Sequence, residues 1–356
     1  MIRPFHLRDS PLVARLQRVG TSLDIEEQLT HPRSPLRSVL LNSVFAPHAG
    51  PSTFILDQQD ESGKTLGLAQ MRIRSGRPER DVVFMSPALD MGNGSHAVWQ
   101  RLLAHLCVQT AEQGSLRIYA RLPIESDELQ LFKNVGFLEY SQEDIYQLNS
   151  KVNRAAIQTT LQLRPQQASD GWGLQKLYAT LTPRQVQNAE GLAQGQWALT
   201  SRRWGEQGRR DGYVWEVQGE LLGALHLRAG KCGYWIRTLL HPDALDQSEE
   251  LVKAALSLTA ANMRLPVYFA LRQYEAGWQS VLLDLGFEPL TSQMLVVKHM
   301  TVRMRKTSLL MPALEKGPPE GAAPTAISHS KIVTPLPSSQ GGQIEQSGQK
   351  IFMLLF

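Results

Sequence analysis

The chain of 356 residues is longer than one ordinary folded core, so its length predicts two domains of middling size. Its 42% hydrophobic and 20% charged residues are ordinary for a globular protein, which excludes global disorder. The formal net charge is +4, but six basic and three acidic residues follow Met300, so the preceding part is nearly neutral. Without a concentrated basic face, we predict no nucleic-acid partner.

Cysteine usage and hydropathy indicate the cellular compartment of the protein. The two cysteines, Cys107 and Cys232, have no metal-binding spacing, and such sparse usage is typical of a reducing, cytoplasmic compartment. The charged residues at positions 1–10 contain no apolar signal region. No apolar run approaches the ~18 residues that cross a bilayer. We therefore expect a cytoplasmic protein that binds neither a metal nor a membrane.

The first half of the chain predicts strands that give way to alternating strands and helices. Strands are predicted over residues 2–7, 53–56, 66–73, 81–85, 116–120 and 143–148, and helices over 10–19, 95–112 and 126–135. Ser10 is the predicted N-cap of the first helix, with Pro11 at its first position.

The second half predicts the same order of elements. Strands are predicted over residues 213–217, 222–227, 233–239, 267–271 and 294–299, and helices over 249–263 and 277–285. This order indicates an α/β fold with a mixed sheet and helices on both faces.

Three landmarks recur along the chain in the same order. Arg3-Pro4 is repeated as Arg164-Pro165, the strand around Gly67 as the strand around Gly223, and the Gly-Phe that ends a helix at Gly136 as the one at Gly286. The separations are 161, 156 and 150 residues, as small deletions would produce. We predict two tandem domains, 1–150 and 155–302; two unrelated α/β domains are the alternative. Residues 307–356, rich in Pro, Gly, Ser and Gln, predict a disordered tail.

This order of elements resembles the GNAT superfamily of N-acetyltransferases, over residues 1–150 and more faintly over 160–300. In that family a strand leads through a Gly-rich loop into a long helix, and the loop amides hold the pyrophosphate of acetyl-CoA. The physical basis is sound, because a helix N-terminus presents unpaired N–H groups and glycines admit a close anion. The resemblance implies an acetyl-CoA-dependent N-acyltransferase.

The matching strand here ends at Met85, before the loop 88–97, which lacks the family's usual basic or Gln residue. The resemblance implies cofactor contacts from the strand end and the loop: Met85, Gly92, Asn93, Gly94, Ser95, His96 and Ala97. Asp90 would oppose an anion. The alternative is an ordinary turn in which Ser95 is the helix N-cap.

The corresponding loop of the second half has no glycine, and acids crowd the start of its helix. Such acids stabilise the helix but repel a pyrophosphate, so we predict that the second half is degenerate and binds no coenzyme A.

Catalytic residues are harder to find. The family's thiolate-protonating Tyr sits four residues before the Gly of the Gly-Phe pair, where this chain has Phe132 and Leu282. Tyr140 and Tyr146 are the substitutes that the sequence offers.

The sequence thus predicts acyl transfer to a small-molecule or peptide amine by a monomer or homodimer. The alternatives are a non-catalytic GNAT pair used for ligand binding or protein interaction, and a domain that holds another small ligand between splayed strands.

Overall fold

The computed structural model describes residues 1–45, 52–60, 63–74, 79–92, 94–149, 153–191 and 209–300. They lie in one compact unit, Met1–Met304. The first half below means residues 1–150 and the second half means residues 155–302. The predicted tail, 307–356, lies outside the described residues. The division at about residue 150 stays a prediction, because a single sheet runs through both halves.

The elements of the first half follow the predicted order with additions. Its strands are β1 Ile2–Pro4, β2 Thr21–Ser22, β3 Thr53–Asp60, β4 Gly63–Ile73, β5 Arg80–Ser86, β6 Arg117–Pro123 and β7 Leu138–Leu148. Its helices are α1 Ser10–Leu16, α2 Ile25–Thr30, α3 Pro35–Phe45, α4 Ser95–Glu112 and α5 Asp127–Asn134.

The second half repeats this series. Its strands are β8 Arg164–Pro165, β9 Arg209–Val217, β10 Glu220–Ala229, β11 Tyr234–Leu240, β12 Val267–Arg272 and β13 Glu288–His299. Its helices are α6 Gly171–Leu181, α7 Arg184–Glu190, α8 Ser248–Leu258 and α9 Gln279–Asp284.

The two halves exchange their last strands. The order across the sheet is β1-β3-β4-β5-β6-β13-β7-β12-β11-β10-β9-β8, with β2 on β5. Strand β13 of the second half therefore pairs with β6 of the first, and β7 of the first half pairs with β12 of the second. The pairs β5–β6 and β11–β12 are parallel, whereas the neighbours of β7 and β13 are antiparallel. The predicted mixed sheet is confirmed.

Two short helices also cross between the halves. Helix α2 packs Ile25 and Leu29 against Trp235 of the second half, and Glu26 forms an ion pair with Arg228 at 2.8 Å. Helix α7 of the second half contacts the first half in the same way: the backbone oxygen of Ala189 accepts a hydrogen bond from the Tyr119 hydroxyl at 2.9 Å. Each half therefore covers part of the other half's sheet.

One repeated contact supports the internal repeat at atomic detail. The guanidinium of Arg3 donates to both carboxylate oxygens of Asp9, at 2.6 and 2.7 Å, and Asp9 also accepts from the His6 amide at 2.9 Å. Arg164 donates in the same way to Asp170, at 2.9 Å to each oxygen. The spacing from arginine to aspartate is the same in both halves, so the Arg-Pro landmark marks the same helix entry twice.

Several local predictions were wrong. Asp9, not Ser10, is the N-cap of α1, because a 3₁₀ turn precedes the helix and places Ser10 inside it. Helix α8 ends at Leu258, five residues before the predicted end. Strand β7 begins at Leu138, five residues before its predicted start. Helices α2, α3, α6 and α7 were not predicted.

Each half has its own apolar core on one face of the sheet. In the first half, α4 presents Val98, Leu102 and Leu106 at helical spacing to this core, and Trp99 beside them is fully buried. In the second half, α8 presents Leu251 and Ala255 in the same way. These packed helices fix the positions at which α4 and α8 begin, beside the ends of β5 and β11.

Candidate active site

The central parallel strands of the first half separate as they run toward their carboxyl ends. Strand β5 pairs with β6 only at Arg80 with Ile118 and at Asp81 with Tyr119. Its remaining residues keep their pairing with β4 on the other side. Beyond Asp81 the edge of β5 that faces β6 pairs instead with the two-residue strand β2, Thr21 with Met85 and Ser22 with Phe84. The gap that β2 enters between the ends of β5 and β6 is called the first cleft. Pairing of β11 with β12 likewise stops after Ile236 and Phe269, which defines a second cleft.

Helix α4 begins beside the first cleft with two glycines in unusual conformations. Gly92 has φ 91° and Gly94 has φ 96°, values that strongly favour glycine. A Cβ on either would meet no atom within 4 Å, so backbone conformation, not crowding, requires them. Both are exposed. Asn93 lies outside the described residues.

Ser95 is not the N-cap that the alternative interpretation expects. Gly94 is the N-cap, and the Ser95 hydroxyl inside the helix donates to the backbone oxygens of Leu89 at 2.9 Å and Gly92 at 3.1 Å. No side chain caps this first turn, and the turn contains no acid. His96 and Ala97 are exposed residues, and among the described residues nothing outside the helix accepts from their backbone amides. These amides are available to an anion.

The structure places Met85 differently from the loop residues. Its backbone pairs with Thr21 and Ala69, and its side chain is fully buried in the first-half core. Met85 therefore anchors the strand end and offers no side chain to a ligand.

A cavity of about 170 Å³ lies between the start of α4 and helix α5. Its lining is polar apart from one leucine: His96, Gln100, Asp127, Gln130, Leu131 and Asn134. Of this set, the sequence predicted only His96 as a cofactor contact. The helical spacing of His96 with Gln100 and of Asp127 with Gln130 and Asn134 places these residues on two facing helix surfaces, which a search for one motif does not detect.

The two tyrosine candidates lie in different environments. Tyr146 is 4% exposed in the apolar core of the second half, so it does not face the first cleft. Tyr140 is half-buried and packs edge-on against Tyr119, which lies at the start of the first cleft. Burial raises the pKa of Tyr140, and nearby Glu190 adds to the effect, so its hydroxyl carries its proton at neutral pH. Phe132, at the family's tyrosine position, is fully buried against Trp99 and Phe137.

The sheet face opposite α4 carries ion pairs that sequence reasoning missed. Arg72 approaches Asp24 at 2.5 Å and Glu27 at 2.7 Å, and Arg74 binds Asp81 at 2.7 Å. Burial opposes ionisation of Asp24, but Arg72 and Arg121 outweigh it and hold the Asp24 pKa well below its usual range. These side chains face α2 and α7, so only the tertiary structure assembles them.

The start of α8 in the second half is built differently. Its first turn contains Glu249 and Glu250, and the Glu250 carboxylate accepts from the Thr160 amide at 2.7 Å and the Thr160 hydroxyl at 2.9 Å. The amide hydrogen bond from Thr160 and the contact with Lys253 lower the Glu250 pKa to about 2. An internal anion, held by the chain itself, already occupies this helix start.

Within the part of the chain that the structure describes, no group of three or more His, Cys, Asp or Glu side chains could hold a metal ion. The described helices also include none that is long and apolar enough to cross a membrane.

Comparison with solved structures identifies the fold. The chain is similar to a GCN5-related N-acetyltransferase from Sphaerobacter thermophilus, with a TM-score of 0.51 and 12% identity over 84% of this chain and 95% of that chain. It also aligns with a tandem GNAT protein from the clavulanic acid biosynthesis pathway, with a TM-score of 0.48 and 15% identity over 84% of this chain and 98% of that one. No protein-family model and no curated protein matches.

The first of these structures establishes the class. The chain has the fold of the GCN5-related N-acetyltransferases, and the aligned region is too long to lie within either half alone. The predicted resemblance is confirmed at the level of fold.

Proposed function

We propose that the chain is an acetyl-CoA-dependent N-acyltransferase whose first half holds the cofactor. The observation that carries this proposal is the start of α4, where two positive-φ glycines, two backbone amides without an acceptor among the described residues and a first turn without an acid adjoin the first cleft. That donor set fits a pyrophosphate, which needs N–H groups and a positive helix end. His96 and Gln100 line the adjoining cavity.

Bound acetyl-CoA would supply a thioester, whose acyl C–S bond breaks as the amine N–C bond forms. The amine loses one proton, and the departing thiolate gains one. Tyr140 is the residue that we assign to thiolate protonation, because it carries a phenolic proton and packs against Tyr119 at the start of the first cleft. The acceptor is an amine, either a small molecule or a peptide, and the protein works in the cytoplasm without nucleic acid, as a monomer or homodimer.

The helix start can be tested with two glycine variants. Gly94→Asp places a negative charge beside the exposed amides, whereas Gly219→Asp makes the same change at another positive-φ glycine in open space, in the second half. An L-residue is strained by the positive φ at both positions, so the two variants differ mainly in where the new charge lies. Calorimetric titration of the full-length protein with acetyl-CoA should show at least roughly tenfold weaker binding for Gly94→Asp only. Equal affinities in all three proteins would refute the assignment.

A second candidate function is favoured by the buried phenylalanine at position 132, which cannot protonate a thiolate. It is a non-catalytic pair of GNAT-like halves that binds a ligand or a protein. Coenzyme A release with a panel of amines separates the two functions. Binding of acetyl-CoA without turnover of any amine would favour this second function.

A further inference from the structure

The ends of the two clefts meet at one row across the middle of the sheet. Pro123 at the end of β6 pairs with Gln293, Gln293 pairs with Glu143, and Glu143 pairs with Arg272 at the end of β12. With about 4.8 Å between strands, Pro123 and Arg272 are roughly 14 Å apart. Side chains at this row can therefore serve a small molecule that lies between the clefts.

Glu143 is the centre of this row and is 1% exposed. Its Oε2 accepts from the Gln293 amide at 2.6 Å. Its Oε1 lies 3.2 Å from Arg272 Nε and 3.9 Å from Arg237 Nε, but among the described residues it accepts no hydrogen bond. Burial opposes the charge, yet Arg272, Arg237 and Arg121 outweigh it and lower the Glu143 pKa to about 2. A buried carboxylate oxygen thus remains one hydrogen bond short.

The neighbouring arginines have unused donors. Arg272 is 2% exposed; its Nη2 binds Glu190 at 3.1 Å, but its Nη1 has no hydrogen-bond partner among the described residues. Arg237 and Arg121 are partly exposed, and their nearest carboxylate oxygens, on Glu143 and Asp24, lie at 3.9 and 3.7 Å. These pairs are too long for good hydrogen bonds.

The junction cluster, defined as Arg121, Glu143, Arg237 and Arg272, thus combines a buried acceptor and a buried donor that lack hydrogen bonds, Glu143 Oε1 and Arg272 Nη1, with two partly exposed arginines. Unpaired buried polar groups are costly and usually have a partner, either water or ligand. Guanidinium groups suit a carboxylate, which they bind through paired N–H donors. Glu143 suits an ammonium group. A plain amine would leave the arginine donors unused, and a plain carboxylate would leave Glu143 Oε1 without a hydrogen bond.

We propose that the junction cluster binds a small zwitterion, an amine that also carries a carboxylate, such as an α-amino acid. The role of this molecule rests on the proposed function. If that function holds, the zwitterion is the amine that accepts the acyl group. Both halves contribute to its site, because Glu143 and Arg121 belong to the first half and Arg237 and Arg272 to the second. The exchange of β7 and β13 brings them together.

Three probes that share a phenyl group but differ in their charges test this inference on the full-length protein. L-phenylalanine has both charges, phenethylamine only the ammonium group, and 3-phenylpropanoate only the carboxylate; L-lysine and cadaverine repeat the contrast with a polar side chain. Calorimetric titration should show the amino acid binding at least about tenfold more tightly than either single-charge probe. Equal or tighter binding of a single-charge probe, or no binding of any probe at millimolar concentration, would overturn the proposal.

Substitutions test whether the arginines of the junction cluster cause the preference for the amino acid. Arg237→Gln, at a partly exposed position that tolerates the change, should remove the advantage of the amino acid. Arg264→Gln changes an exposed arginine outside the cluster and should retain it. A preference that survives both Arg237→Gln and Arg121→Gln would reject the site.

Separate titration with acetyl-CoA keeps the two proposals distinguishable. Amino-acid binding without acetyl-CoA binding would support the zwitterion site and reject the proposed function, as expected for an effector. Acetyl-CoA binding with no preference for the zwitterion would reject this inference alone.

Discussion

The starts of α4 and α8 occupy the same place in the two halves but are built in opposite ways. At α4, glycines with positive φ lead into a first turn with no acid, and the amides of His96 and Ala97 have no acceptor outside the helix among the described residues. At α8, two glutamates fill the first turn, and Glu250 holds Thr160 of the preceding segment. A positive helix end needs an anion, and only the second half contains its own.

The segment at residues 153–163, called the linker, makes this difference larger. It runs along α8 from Arg154, which contacts the residues just after the helix, to Thr160 at the first turn. No described segment makes the corresponding contacts to the first turn of α4. The same helix terminus in one fold can therefore face a ligand or contact the protein's own chain, depending on a few residues.

The largest expected effect concerns the attachment of the linker to the second half. Arg154 is 1% exposed and donates to Thr259 Oγ1 at 3.0 Å and to the backbone oxygens of Asn262 and Leu265 at 3.1 and 2.9 Å. Arg154→Ala leaves these acceptors unpaired, so we expect the free energy of unfolding to fall by about 3 kcal/mol in urea titrations. Exposed Arg264→Ala should cost under about 0.5 kcal/mol. A loss below about 1 kcal/mol for Arg154→Ala would mean that the linker does not stabilise the second half.

The next effect separates cofactor affinity from stability at α4. His96→Glu adds an acid to the first turn, which stabilises the helix by about 0.3–1 kcal/mol but repels a pyrophosphate. We expect acetyl-CoA affinity to fall roughly tenfold while thermal stability stays the same or rises. The matched change His241→Glu, before α8, should leave affinity unaltered. Parallel losses of stability and affinity in His96→Glu would contradict this explanation.

Much of the sheet could be predicted because its strands alternate or form short apolar runs between turn residues. Strands β4, β6 and β10 to β12 agree with their predicted positions to within three residues at each end. Helices α2 and α7 escaped prediction because they are six and seven residues long and depend on partners in the other half, such as Arg228 for Glu26.

The exchange of β7 and β13 was beyond sequence reasoning for a different reason. Both strands follow a Gly-Phe helix end, so local sequence permits either to join β6 or β12. The junction cluster depends on that choice, since Glu143 meets Arg272 only because β7 joins β12. The loop before α4 could be found because glycine spacing is visible in sequence. The junction cluster could not, because its two members from the first half lie between 94 and 151 residues from its two members in the second.

The smallest expected effect concerns how the stability contributed by the first turn of α8 depends on pH. Because the Glu250 pKa is lowered to about 2 in the folded protein, its contacts stabilise the fold above the unfolded-state pKa of about 4.3 and are lost as pH falls toward 2. Glu250→Gln should lower the free energy of unfolding by about 1 kcal/mol at pH 6 and by almost nothing near pH 2. Glu249→Gln removes an acid from the same turn but no contact with the linker, so its effect at pH 6 should be a few tenths of a kcal/mol. Urea unfolding of the three proteins at both pH values measures the difference. If the two variants behave alike, the helix dipole alone accounts for the acids at α8, and the hydrogen bonds from Thr160 contribute nothing to the closure of this helix start.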